Sequence, residues 1–450
     1  MKKPDTNIST APINMAIKLE YYEYNERLRS IGIVSFLRNV LKAKELDDSK
    51  PDATFLELAE AKNEVEVCNA LVRPPCSWFE MTVTPCTPQM KHKDILFPHL
   101  QFVCSKNAAG QSFLRPPIAC FPADIEVTDD PTMDWYTLEM SVFVAWEDAH
   151  PAEQEPWTQS RNNRWSDHEV DCYAPDAFWA RCYQTMSLKA QMLRQQRHCL
   201  FSLGLYGRKA RLFRMDAAGM LMSEVIDLVE NPWDFITFLR RFNEMSPVER
   251  GWYPNATPST PAERDLLKGA VMDYLEQVKS RKVPMLEKLC DTLDTKWPVF
   301  RLDLGEDLAR IGERCTLIIG RYYHANWQRH YYAYHTGEKR LLLYKDGWPS
   351  KCDCTCEYAE GEAIARLDAL DVPHLPGVVY TTVRDAYQKP TWFRHSLTDR
   401  YAGWNEDGIE HKEHTQTVME LTYHMKYVEN SKHLVQVVRD MLESESYLLG

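Results

Sequence analysis

Between Arg194 and Gly251 the spacing of apolar residues changes period twice. Met192 to Cys199 ends a helical run, after which Phe201, Leu203 and Leu205 alternate with their neighbours, the period of two that a strand requires. Gly207 and then Asp216 to Gly219 interrupt that alternation with turn chemistry, predicting short strands in a tight antiparallel meander. Pro232 follows, at the first turn of a segment whose Phe235, Phe238, Leu239 and Phe242 recur at helical spacing. The stretch therefore closes on an amphipathic helix.

Upstream, the pattern predicts a helix around Tyr21 to Lys44 and strands near Phe97 to Val103, Phe113 to Phe121 and Leu138 to Trp146. Glu147 to Trp165 has little apolar periodicity and reads as an exposed loop. A helix from Pro175 to Cys199, carrying Phe178, Trp179, Cys182, Tyr183 and Met186, leads into the meander. Downstream, Trp252 to Ala262 holds three prolines and marks a boundary. A connecting helix over Leu266 to Leu293 comes next. After Pro298 the chain turns β-rich, with strands at Cys315 to Gly320, Tyr331 to Tyr334 and Arg340 to Tyr344 and a turn at Thr336-Gly337. A helix over Glu360 to Leu370, strands near Val378 to Val383 and Thr417 to Tyr423, and a last amphipathic helix from Ser431 toward Glu443 complete the pattern.

Composition narrows the picture. At 450 residues, two or three domains are expected, and 44% apolar with 11% aromatic residues is ample for a packed core. A formal charge of −12 disfavours a dominant nucleic-acid surface. The polar start, MKKPDTNIST, lacks the apolar core of a secretory signal, and no run reaches the 18 apolar residues of a membrane span. The expectation is an intracellular protein, cytoplasmic or nuclear, with 13 scattered cysteines kept as thiols.

Gln195 and Arg197, Ala210 to Arg214, Asp216, Gly219, Ser223, Glu224, Phe238, Leu239, Arg241, Phe242 and Arg250-Gly251 form a second pattern. On these residues the stretch resembles the signature region of the fungal-type protein kinase family, in which Gln-x-Arg ends a helix and an Arg-rich strand leads to Asp-x-x-Gly. Where that family usually reads Arg-Trp-Asp-Arg, this chain has Arg214-Met215-Asp216-Ala217. The resemblance implies an α+β protein: a mixed α/β N-terminal domain containing the antiparallel meander, followed by a protein-kinase-like small lobe. Residues 1–170 would form the N-terminal α/β region and 171–252 the signature packed on it. Residues 253–300 would form the Pro-rich linker and connector, and 301–450 the small lobe with the first large-lobe helix.

A kinase small lobe needs a strand lysine for the nucleotide phosphates and a helix glutamate to hold it. By resemblance these are Lys345, in the family's Lys-Asp-x-Trp form with Asp346 and Trp348, and Glu360, with Glu362 open as the alternative. The glycine-rich loop falls at Gly320 to Ala325, where Tyr322 and Tyr323 replace the expected Gly-Thr, so an ordinary hairpin is expected there. ATP and magnesium are cofactors by resemblance only. Neither His-Arg-Asp nor Asp-Phe-Gly occurs in the sequence. The segment Ser431 to Leu442 resembles the family's first large-lobe helix and the chain then reaches Gly450. The expectation is a truncated, pseudokinase-like protein with its large lobe almost entirely absent and no phosphoryl transfer to protein serine or threonine. The alternative is a non-catalytic interaction or scaffold protein. Apolar positions Leu434, Val435, Val438 and Met441 would then present a face for a protein partner.

Three further constellations carry less. Cys352, Cys354 and Cys356 form C-x-C-x-C without a nearby fourth zinc ligand, and read as free thiols. The strands from Ser112 to Trp146, followed by the Gln-bearing helix, faintly resemble a restriction-endonuclease-like core. Its metal-binding places would be Pro117, Phe143 and Ala145, none of which can bind a metal. His198, Arg214 and Asp216 read as structural, with Asp216 starting a turn.

Overall fold

A computed structural model of the protein describes residues 28–41, 99–104, 118–125, 137–145, 187–192, 194–278, 297–307, 310–325, 328–349, 375–382, 396–398 and 411–421, with isolated positions between them. The chain divides into two compact units. Unit 1 comprises Met1–Trp252 and Ser396–Ile409, and unit 2 comprises Tyr253–His395 and Glu410–Gly450. The boundary at 252/253 coincides with the Pro-rich stretch. The return of residues 396–409 to unit 1 has no counterpart in the sequence pattern.

Unit 1 is built on one mixed sheet of eight strands: β1 (Leu28–Ile31), β2 (Leu100–Cys104), β3 (Ile118–Pro122), β4 (Met140–Ala145), β5 (Cys199–Tyr206), β6 (Lys209–Asp216), β7 (Met220–Ser223) and β8 (Ile226–Asp227). Their order is β1-β7-β6-β5-β4-β3-β2, with β8 on β6. β2, β3 and β4 run antiparallel, and β5 lies parallel to β4 after helical residues between 184 and 194. The predicted meander is therefore β5-β6-β7, and it extends the same sheet as the upstream strands rather than packing on them as a separate layer.

Every residue of β5 is buried because the sheet is covered on both faces. Phe201, Leu203 and Leu205 share a core with Phe235, Phe238, Leu239 and Phe242 of helix α1 (Trp233–Glu244). Leu200 and Tyr206 alternate to the other face, against Leu188 and Met192. Within the helix expected over Tyr21 to Lys44, the described residues 28–41 depart from expectation. Leu28–Ile31 is a strand paired in parallel with β7, and Gly32 precedes one helical turn, Ile33–Ser35, that runs into a π turn, Phe36–Val40. Pairing across the sheet overrides the local helical spacing there.

Unit 2 holds a second sheet: β9 (Ala256–Pro258), β10 (Phe300–Asp307), β11 (Arg310–Ala325), β12 (Gln328–His335), β13 (Arg340–Gly347), β14 (Val378–Thr381) and β15 (Thr415–Met419), in the order β14-β15-β13-β12-β11-β10-β9. All pairs are antiparallel. The sheet curls strongly. A Cβ placed on Gly305 of β10 would come 3.0 Å from the Tyr380 ring of β14, although several strands separate the two in hydrogen-bonded order. Its inner face is filled by Leu302, Leu317, Tyr331, Leu342, Tyr344 and Val418 among others. Its outer face carries helix α2 (Pro261–Val278), whose Leu267 and Val271 pack on Ile318, Tyr332 and Leu341.

The stretch read as a Pro-rich linker supplies β9, since Ala256 to Pro258 pair with Leu302 to Phe300. Helical residues at 363, 364 and 367 lie within the predicted Glu360 to Leu370 helix. Of the last predicted helix, Val435 and Arg439 are described and helical, with Val435 67% exposed, while Leu434, Val438 and Met441 lie outside the described residues. Among the described residues no helix is long and apolar enough to cross a membrane.

Candidate functional site

Lys345 is not at the end of its strand, because β13 runs on through Gly347. Its cross-strand partners are His330 on β12 and Thr417 on β15, and Thr417 in turn faces Thr381 on β14. Residues opposite one another in register share a face, so four strands contribute one row: His330, Lys345, Thr417 and Thr381. His330 and Lys345 are half-buried, and both threonines are buried. Their hydroxyls lie 3.4 Å apart, and His330 Nε2 lies 3.2 Å from Gln328 Oε1. An ammonium, an imidazole and two hydroxyls make a donor-rich row suited to an anionic group.

Neither of the other two residues implied by resemblance is placed in this row. Glu360 and the alternative Glu362 lie outside the described residues. Gly320 sits inside β11, where register shifts between Ile319 and Tyr322, and not in a loop or hairpin turn. A Cβ there would stand 3.1 Å from the Thr292 carbonyl oxygen and 3.3 Å from Leu267 Cδ2. Lack of a side chain at 320 thus lets α2 and the chain at Thr292 lie close to the strand. That is a packing role.

On the opposite, inner side of the sheet sits a charged cluster that the residue pattern did not announce. Asp346 is fully buried, and its carboxylate accepts hydrogen bonds from Arg329 Nη2, its register partner on β12, and from His414 Nε2 at 2.5 Å. The His414 ring is stacked between Tyr253 at 4.7 Å and Trp348 at 4.8 Å. Gln416 donates to the Tyr344 hydroxyl at 2.7 Å. Burial would raise the Asp346 pKa, but Arg329 and His414 overcome it and hold the carboxyl below its usual range. Burial, aided by the Asp346 charge, pushes the phenols of Tyr253 and Tyr344 well up. This cluster is saturated internally and reads as a structural ion network. The signal available in the sequence was Lys-Asp-x-Trp itself, in which Asp346 and Trp348 belong to the network and Lys345 faces away from it.

In unit 1 the signature residues prove to be scaffolding. Arg197 donates to the carbonyls of Leu138 and Glu139 at 2.8 and 3.0 Å and to the Glu139 carboxylate at 3.0 Å. Its guanidinium lies 3.8 Å above the Trp252 ring. Burial pushes the Arg197 pKa down to about 10 despite Glu139. Arg250 reaches the same carboxylate at 3.5 Å, and the Trp252 indole donates to it at 3.1 Å. Gln195 donates to the Leu138 carbonyl, and Ser223 ties β6 to β7 by accepting from the Leu212 amide. Across the helix-sheet interface buried Gln184 donates to the Ser202 hydroxyl and the Ser141 hydroxyl donates to Gln191, which itself donates to Ser187 on its own helical segment. Arg214 and Asp216 form a buried pair at 2.6 Å.

Phe143 is buried in the core beside Leu188, Ala145 ends β4, and Pro117 lies outside the described residues, as do Cys352, Cys354 and Cys356. Among the described residues no cluster of three or more His, Cys, Asp or Glu side chains could hold a metal ion. Comparison with family models, with curated proteins and with solved structures returns no match.

Proposed function

We propose that this chain is a protein-kinase-like protein of the pseudokinase type, in which unit 2 binds the phosphates of a nucleoside triphosphate at Lys345 and transfers no phosphoryl group. The observation that carries the reading is the donor row of His330, Lys345, Thr417 and Thr381 across four antiparallel strands. Lys345 lies on the last of four consecutive antiparallel strands, β10 to β13, with helical residues and two further strands after it. The family resemblance implies three strands before the helix, so β10 is additional to that order. The sequence lacks His-Arg-Asp and Asp-Phe-Gly, and the reading contains no metal-dependent step.

A second reading, a non-catalytic scaffold without nucleotide, draws on Gly320. A phosphate-binding loop needs bare backbone open to the ligand, whereas a Cβ added at Gly320 would fall 3.1 Å from the Thr292 carbonyl oxygen and 3.3 Å from Leu267 Cδ2. A thermal-shift titration separates the two. Ligand at about 100 times its Kd adds about 2.7 kcal/mol to the folded state. Millimolar ATP should raise the melting temperature of the wild type with or without magnesium, and Lys345→Ala should abolish the rise. An unshifted wild type would favour the scaffold. Transfer of labelled phosphate to a generic substrate above the Lys345→Ala level would overturn the non-catalytic part.

A further inference from the structure

Asp216 serves more than the turn that begins with it. Its Oδ1 accepts from the Ala218 amide at 3.0 Å, closing the β6-β7 turn. Its Oδ2 accepts from Arg214 at 2.6 Å and also from the main-chain amides of Leu397 and Thr398, at 2.8 and 3.1 Å. Those two residues lie 181 and 182 positions further along the chain, in the connection from β14 to β15. Both strands belong to unit 2, yet Ser396 to Ile409 belongs to unit 1. Ser396 and Thr398 are buried, and Leu397 packs against the core that contains α1.

The other end of the same unit 2 segment is also anchored. Trp252 lies under the Arg197 guanidinium, pairs with Arg197 through a β-bridge and donates to Glu139. Residues 253–395 therefore leave unit 1 at one buried charged group and re-enter it at another. Holding both ends of a chain segment removes freedom from its unfolded state far more than from its folded state. A carboxylate receiving two main-chain N–H groups and a guanidinium is a strong form of such a hold.

We propose that Asp216 is a clasp: by gripping residues 397 and 398 within unit 1, it closes residues 253–395 into a loop and so stabilises unit 2 from outside it. The clasp makes the folding of the two units interdependent through the covalent chain, and a change that frees residues 396–398 loosens unit 2.

Hydrogen exchange on the full chain tests this with two variants that attack the clasp from opposite sides. Asp216→Asn keeps a turn-forming residue but puts an NH2 group where Oδ2 accepts. Leu397→Pro removes the 2.8 Å donor and leaves Arg214, Asp216 and the turn untouched. In both variants the Thr398 amide should exchange at least tenfold faster, and the protected amides of β12 and β13 about tenfold faster, as loop closure is lost. Faster exchange at Thr398 with β12 and β13 unchanged would reduce Asp216 to a local contact and overturn the proposal. So would a Thr398 amide that is already unprotected in the wild type, or one that stays protected in Leu397→Pro.

Discussion

The Asp346 carboxylate joins β12, β13 and the residue preceding β15 by charge, since Arg329 and His414 both donate to it in a buried setting. Removing one member of a buried ion network costs more than the network contributes, because the surviving charge is stranded. Asp346→Asn should therefore destabilise the chain by about 3 kcal/mol at neutral pH, read as a lower urea midpoint. The pH dependence follows from the direction of the shift. The folded pKa of Asp346 lies below the unfolded value near 3.9. The associated stability is present in full above about pH 4 and drains as pH falls through the folded pKa. The gap between wild type and Asp346→Asn should accordingly narrow in acid, and a gap that stayed constant to about pH 2 would contradict the assignment. At this scale the sequence was half legible. Lys-Asp-x-Trp drew attention to residues 345 to 348, but alternation sends Lys345 and Asp346 to opposite faces, and only the register with Arg329 and Gln416 shows which neighbours each one meets.

Elements in this chain were legible where period and punctuation agree, as in β5 to β7 and α1, and misread where a distant strand decides. Leu28 to Ile31 is a strand only because β7 lies beside it, and Ala256 to Pro258 only because β10 does. Two glycines separate backbone demand from packing demand. Gly251 has φ +108°, its carbonyl accepts from the His198 amide at 2.8 Å, and a Cβ there would fall 2.1 Å from the Cys199 carbonyl oxygen. No side-chain motion relieves a clash with main chain, so Gly251→Ala should cost about 3 kcal/mol or more and disturb the joint between the 194–199 segment and Trp252. Gly320→Ala meets Thr292 and Leu267 at 3.1 and 3.3 Å, contacts that a few tenths of an ångström relieve. Its cost should be about 1 kcal/mol, and any ATP response should survive it. Loss of that response with stability intact would return Gly320 to a phosphate-binding role.

The whole molecule is where local pattern carries least, since nothing in the composition of residues 396–398 distinguishes them from the connection around them. Proline density falls at the 252/253 break between the units, and a division there is the natural one to make from sequence. The topology argues that it is not a clean cut. A polypeptide of residues 1–252 keeps the Asp216 turn and the Arg214 pair but loses two main-chain donors to the carboxylate and the Leu397 side chain on the core. Hydrogen bonds to a charged group are worth about 1.5–3 kcal/mol each, less whatever water restores at a newly exposed acceptor. Residues 1–252 should therefore be less stable by about 2 kcal/mol than the same residues joined through a short Gly-Ser linker to 394–409. Denaturant midpoints of the two polypeptides measure the difference directly. Equal midpoints would mean that Asp216 is satisfied by Arg214, Ala218 and water alone, and that the return of the chain to unit 1 contributes connectivity without stability.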